Sequence, residues 1–371
     1  MATRSPGRTI LSLDSYITLG RSGLRVSPLC LGAMTFGEDL GWGSSPSESE
    51  AILARYLERG GNFIDTANIY TFGHSEKIIG DFFAQKKARR DRAVIATKFY
   101  GNLYAGDPNG GGAGRKAIVE QCEQSLRRLQ TDYIDLYWLH NWDRYTPIEE
   151  TMRTLDDLVG AGKVRYIGFS DAPAWKVAQA QTIAQFRGWA PLVALQIEYS
   201  LLERTVEGEL VPMAQELGLG ITPWSPLKSG ILSGKYTREN AETFKPDRGE
   251  FVTAPTEAVH AIIDQLRVIA DALETNVAAV ALAWVQGRPG VTSTIIGARR
   301  IDQFDANVAA LDLTLSAEQI ASLDALSTPK LNFPADMNAH FSPSFAHSGA
   351  TVNGDATTTL PFLPAADAVV Y

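Results

Sequence analysis

An α/β chain closed as a (β/α)8 TIM barrel is the fold the sequence predicts, on three observations. Eight short apolar runs recur along the chain, segments of helical period separate most of them, and polar residues stand where several runs end. Runs that are apolar throughout read as strands buried on both faces, which is the pattern of a parallel sheet covered by crossover helices. The 371 residues, 45% hydrophobic and 20% charged, suit one barrel of this kind.

The elements follow in order. Residues 15–28, SYITLGRSGLRVSP, read as a hairpin turning at Arg21-Ser22-Gly23, placed to plug the barrel's bottom. The strand runs are expected at 28–33, 62–66, 93–98, 133–139, 164–169, 192–197, 219–224 and 292–296. Helix starts are marked at Ser45-Pro46-Ser47-Glu48 and Thr146-Pro147-Ile148-Glu149, each with a capping hydroxyl, a proline and a glutamate three residues after the cap. Within GRKAIVEQCEQSLRRL, the residues Val119, Cys122, Leu126 and Leu129 recur at helical spacing and predict one buried face. The glycine loop Gly110-Gly111-Gly112-Ala113-Gly114 lacks the GxGxxG spacing of a doubly wound sheet and follows the third strand rather than the first, so it reads as a mobile lid or plain linker. From about residue 328 the chain is rich in Ala, Thr, Ser, Asn and Pro. The expected division is a barrel over 15–327 and a wrapped, partly irregular extension over 328–371.

Charge and cysteine content narrow the function. A net charge of -8 argues against nucleic acid as the partner, since its binders carry basic stripes. Cys30 and Cys122 make no CxxC or disulfide framework, and neither a signal peptide nor an apolar run of membrane-spanning length is visible. A soluble cytoplasmic protein with no membrane partner is expected. His74, His140, His260, His340 and His347 form no HxH pair, and carboxylates do not cluster, so a metal-dependent hydrolase or lyase fails on ligand spacing.

Barrel sites form at the carboxyl ends of the strands. Asp65 ends the second run, Lys98 the third and His140 the fourth, with Tyr70 in the loop above Asp65. Four polar groups can therefore share one mouth. An ammonium favours phenolate, so Lys98 is expected to lower the pKa of Tyr70 and tune it as a proton donor. Asp65 would keep Lys98 charged and oriented, and His140 would hydrogen-bond a carbonyl oxygen. This set protonates an oxygen but offers no electron source, so something else must attack the carbon.

The strings FIDTANIY, ATKF, LHNWD, IGFSD, QIEYS, TPWSPLKSGILSGKY and IIGARRIDQFDAN, in this order over about residues 16–325, resemble the aldo-keto reductases. The likeness is greatest to the branch of aryl-alcohol dehydrogenases, bacterial reductases and potassium-channel beta subunits. It implies a (β/α)8 barrel, hydride from NADPH, and the catalytic tetrad Asp65, Tyr70, Lys98 and His140. It also implies a cofactor site made of Gly32, Met34, Asp65, Ser170, Asp171, Gln196 and Trp224, the loop Ser225, Pro226, Leu227, Lys228, Ser229 and Gly230 with Lys235, and Gly297, Arg299, Gln303 and Asn307. In that scheme Ser170 and Gln196 hold the carboxamide, Trp224 stacks on the nicotinamide, the 225–230 loop and Lys235 wrap the pyrophosphate, and the last four residues hold the adenosine. The planar, permanently charged fork of Arg299 suits a 2'-phosphate, which favours NADPH over NADH.

Two positions depart from the pattern. Asp171 stands where many relatives have Asn or Arg and would accept rather than donate, or cap the following helix. Ala306 replaces a common Glu. Trp42, Tyr100, Tyr104 and Trp142, with Trp224, are expected to wall a wide aromatic substrate pocket suited to bulky, flat or cyclic carbonyl compounds of xenobiotic or secondary-metabolite type. The alternative is a cofactor-binding regulatory barrel with little turnover, against which His140 stands, because the channel-associated relatives carry Asn there. Oligomeric state and reaction direction are left open.

Overall fold

The computed structural model describes residues 11–85, 87–239 and 254–364; residues 365–371 of the expected extension lie outside them. After a small hairpin, β1 (Ile17–Thr18) with β2 (Arg25–Val26), come the eight strands of one parallel sheet. These are β3 (Leu29–Gly32), β4 (Phe63–Asp65), β5 (Val94–Phe99), β6 (Ile134–Leu139), β7 (Val164–Ser170), β8 (Leu192–Glu198), β9 (Gly220–Trp224) and β10 (Thr294–Gly297). They match the eight apolar runs with ends shifted by no more than two residues. β10 pairs with β3 from Thr294↔Leu29 to Gly297↔Gly32, and on its other side a bridge between Ile221 and Val291 nearly closes the ring.

Alternation along each strand explains where the polar residues fall. The barrel interior is filled by Cys30, Phe63, Val94, Ala96, Leu136, Trp138, Val193, Ala194 and Ile295. Two residues beyond an interior apolar residue, on the strand or just past its end, stand Asp65 (after Phe63), Lys98 (after Ala96), His140 (after Trp138) and Gln196 (after Ala194). The polar residues thus form one layer above an apolar plug, at the carboxyl ends. Gly168 opposite Trp138 keeps that plug filled without overlap, since a Cβ there would lie 2.4 Å from the Trp138 ring.

A second core lies between the sheet and its helices. α1 (Pro46–Glu58) begins with a true capping box: the Ser45 hydroxyl accepts from Glu48 N, and the Glu48 carboxylate accepts from Ser45 N. The second expected box does not form. α4 (Ile148–Gly160) has Pro147 at its N-cap and no side-chain cap, because the Thr146 hydroxyl donates instead to Asp143 at 2.7 Å. In α3 (Arg115–Leu129), Cys122, Leu126 and Leu129 are buried but Val119 is 39% exposed. Ile118, not Val119, continues the stripe, because i+4 steps from 118 through 122 to 126 stay on one face. α2 (His74–Gln85) packs on α3 at Gly80, where an added Cβ would sit 2.2 Å from the Arg128 carbonyl oxygen.

The hairpin is driven into the bottom of the barrel as its sequence suggests. Leu19 is fully buried, Arg21 N donates to Gly218 O at 2.8 Å, and Gly20, with φ +57, brings its backbone where a Cβ would strike Val193 O. The glycine loop is tied down rather than free: Gly112 N donates to Tyr100 O at 2.9 Å and Ala113 N to the Asp143 carboxylate at 3.0 Å. The extension carries more regular structure than its composition suggests, with two short helices, Ala335–His340 and Ser342–His347, largely exposed. Among the described residues no single helix is long and apolar enough to cross a membrane.

Candidate active site

The barrel's stagger decides how the polar layer meets. Asp65 pairs with Ala96, so Lys98 stands two residues further along its strand, a rise of about 6.6 Å at 3.3 Å per residue. A lysine stem spans that offset. Lys98 Nζ reaches back to the Asp65 carboxylate, with a second bond to Thr66 O at 2.9 Å and a third contact to the Tyr70 hydroxyl at 3.3 Å. Gln196 Nε2 donates to the other Asp65 oxygen at 3.1 Å. The His140 ring stands edge-on to Tyr70, centroids 5.7 Å apart at 81°.

Burial sets the proton inventory. Lys98 is fully enclosed, which by itself would lower its pKa, but Asp65 and Tyr70 outweigh this and hold it at about 12. Tyr70 departs from the expectation. Its burial raises the phenol's pKa by more than the neighbouring ammonium lowers it, and Asp65 adds to the rise. Tyr70 is therefore a firmly protonated phenol at neutral pH rather than an acidified one. Burial, with Lys98 adding to it, drives His140 down to about 3, leaving a neutral imidazole.

The loop that carries Tyr70 is strained and firmly held. Thr71 and Phe72 adopt left-handed φ of +45° and +56°. Thr71 Oγ1 donates to Phe36 O at 2.9 Å and accepts from Ser75 N, while Asn68 N donates to Lys98 O and its side-chain amide to Gly101 O and Gln121 Oε1. Thr66, Asn68 and Thr71, all buried, are positioning residues that the sequence reading passed over. Their only signal was polarity inside an otherwise apolar stretch.

Around this cluster lie the remaining strand ends. Ser170 and Asp171 follow one another at the end of β7, and Ser170 Oγ donates to Asp171 at 3.3 Å. Asp171 does not cap the next helix, α5 (Ala174–Arg187), whose N-cap is Pro173; its carboxylate accepts from Trp224 Nε1 at 3.0 Å instead. Asp171 is exposed at the mouth, yet the packing around its carboxyl raises it to about 6, against the bonds from Trp224 and Ser170. Beyond Trp224, Ser225, Lys228, Ser229 and Gly230 all have positive φ, Pro226 and Leu227 lie between them, and Lys228 Nζ pairs with Glu198 at 2.5 Å. Lys235 lies close to Gly230, Nζ 3.7 Å from where a Cβ would be. At the β3–β10 seam Gly32 and Gly297 pair, a Cβ on Gly297 would meet nothing, and Met34 is exposed just past Gly32. Gln303 Oε1 accepts from Arg299 N at 2.9 Å, and Asn307 Nδ2 donates to Gly297 O at 3.1 Å, so both shape the Arg299 loop from below.

The expected aromatic wall is only partly assembled. Trp142 is half-buried and meets Trp175, 5.7 Å away edge-on, a residue the sequence reading missed because it opens an amphipathic helix. Tyr100 is half-buried against the outer core. Tyr104 turns away: its hydroxyl donates to Gln124 of α3 and its ring lines a separate cavity of about 450 Å³ beside the glycine loop. Trp42 lines another cavity, of about 490 Å³, with Glu38, Gly41, Gly43 and Arg299.

Fold and site together define an oxidoreductase acting on carbonyl and alcohol groups of small molecules. The chain belongs to the aldo/keto reductase family, whose sequence model matches residues 28–328. It is 40% identical over 318 residues to an uncharacterized oxidoreductase of Bacillus subtilis (strain 168), covering 83% of this chain and 94% of that protein. It is 36% identical to an aryl-alcohol dehydrogenase of Pestalotiopsis microspora (89% and 86% covered) and 37% identical to a norsolorinic acid reductase of Emericella nidulans (84% and 81% covered). Family members take hydride from a nicotinamide cofactor, NADH or NADPH.

Proposed function

We propose that the protein is an NADPH-dependent reductase of bulky aromatic or cyclic carbonyl compounds, with Tyr70 as general acid. The observation that carries the reading is the Asp65–Lys98–Tyr70 chain of contacts, closed by a neutral His140 at the edge of the phenol. When bound, NADPH supplies hydride to the carbonyl carbon. As negative charge grows on the oxygen, Tyr70 passes it the phenolic proton, and Lys98 at 3.3 Å stabilises the phenolate that remains. The raised pKa of Tyr70 fits this role, because the proton is present at every physiological pH and leaves only when an alkoxide forms. His140, neutral and bearing one ring N–H, holds the carbonyl oxygen in place.

The residues present suit the cofactor. Trp224 offers a flat wall; Lys228 and Lys235 bring positive charge to the positive-φ loop, a Cβ at Gly297 would meet nothing, and Arg299 lines a cavity with Trp42. Gln196 donates one amide hydrogen to Asp65, and Oε1 is the atom suited to a carboxamide N–H. The preference for the 2'-phosphate rests on Arg299. The preference for flat substrates rests on Trp142 and Trp175 and on relatives whose names specify an aryl alcohol and norsolorinic acid. Residues 15–327 form the catalytic barrel in this reading, and 328–371 an extension.

The test is NADPH absorbance against a panel from small aldehydes to polycyclic ketones, repeated with NADH and with Tyr70→Phe. Reduction with NADPH, fastest for large aromatic carbonyls and nearly abolished in Tyr70→Phe while NADPH still binds, is expected. Turnover of Tyr70→Phe near the parent rate removes Tyr70 as the acid; binding without turnover across the panel favours the regulatory barrel.

A further inference from the structure

Asp171 occupies a position that neither the proton relay nor a helix cap accounts for. It is a non-glycine residue at φ +47, a conformation that Asp and Asn tolerate better than most side chains. Three contacts hold it there: Asp171 N donates to Gln196 O at 3.1 Å, Ser170 Oγ donates to one carboxylate oxygen at 3.3 Å, and Trp224 Nε1 donates to the other at 3.0 Å. An indole has a single donor, so this bond is the one polar constraint on the ring's rotation available to Trp224. The charged groups that act on Asp171 are Lys98 from β5 and Glu198 from β8, itself paired with Lys228; Asp171 in turn acts on Tyr70.

We propose that Asp171 is a positioning residue that fixes the tilt of the Trp224 indole through the Oδ1···H–Nε1 bond, and that protonation of Asp171 slackens this hold. A bond to an ionised acceptor is roughly twice as strong as one to a neutral acceptor, so the same geometry stiffens or loosens with charge. Asp171 stands exposed at the barrel mouth, and the protein around its carboxyl still raises it to about 6, which brings the change within the working range of an enzyme. The consequence for cofactor affinity rests on the proposed stacking role of Trp224; the Asp171–Trp224 couple does not.

The experiment separates the two. With the cofactor-free full chain labelled at tryptophan with nitrogen-15, the Trp224 indole signal, identified by its loss in Trp224→Phe, is followed with pH. A single inflection near the Asp171 value is expected in the parent, and none in Asp171→Asn, which keeps the shape and tolerates the left-handed backbone. A flat parent signal, or an inflection that persists in Asp171→Asn, overturns the couple. NADPH binding by fluorescence at neutral pH supplies the second arm: Asp171→Leu, which has no acceptor, should bind about tenfold more weakly than the parent, and Asp171→Asn should lie between them. Unchanged affinity in both variants overturns the consequence for the cofactor. Failure of the parent itself to bind NADPH or NADH overturns the proposed function, and the indole titration still decides the couple.

Discussion

Replacing Lys98 by Met probes the center of the site with a magnitude the structure supplies. The ammonium is fully enclosed, its partner Asp65 nearly so, and the substitution removes the donor to the Asp65 carboxylate, to Thr66 O and to the Tyr70 hydroxyl while roughly preserving the stem. Gln196 retains its bond to the second Asp65 oxygen. What remains is a buried carboxylate without its counter-charge, and breaking such a pair costs about 3–5 kcal/mol. Urea unfolding followed by tryptophan fluorescence, with midpoints compared at a shared slope, measures this. Asp65→Asn/Lys98→Met should recover most of the stability and none of the activity. A Lys98→Met deficit below about 1 kcal/mol would refute the picture of a desolvated ion pair, because only a surface pair is worth so little.

Other expectations are as direct. Arg299→Gln should weaken NADPH by about 10- to 100-fold, the worth of a charge-assisted contact, and NADH by far less; equal weakening in a binding titration removes the 2'-phosphate argument. His140, held near 3 in the fold against an ordinary 6.5, makes the unfolded chain the better proton binder between those values. Stability should accordingly fall as pH drops through that window, and His140→Asn should flatten the slope by close to one proton, read from unfolding free energies at several pH values. Gly80→Ala should destabilise by about 1–3 kcal/mol through overpacking of α2 on α3, because the new methyl meets backbone that has no rotamer to yield; a neutral urea midpoint would mean the two helices can slide apart.

The sequence by itself determined the barrel and the identity of its polar layer. Short apolar runs that alternate with segments of helical period read as strands covered on both sides, and the polar residues that end such runs fall at the barrel mouth, so Asp65, Lys98 and His140 were legible in the sequence alone. Helix ends were legible where the capping hydroxyl is free to turn onto the helix, as at Ser45, and not where a neighbour in the same loop takes that hydroxyl, as Asp143 does for Thr146. The same limit applies to Tyr104, whose hydroxyl finds Gln124 on α3, and to Trp42, which shares a cavity with Arg299.

Tertiary structure alone decided the electrostatics and the direction of long side chains. Whether Lys98 lowers the pKa of Tyr70 depends on the balance between one ammonium and the loss of water around the phenol, and burial prevails. Whether Asp171 caps a helix or holds Trp224 depends on a left-handed backbone turn that places its carboxylate 3.0 Å from the indole. Periodicity fixes which face a residue occupies because it is a property of the chain; desolvation and the reach of a side chain across the barrel are sums over neighbours distant in sequence, and those exist only once the barrel has closed.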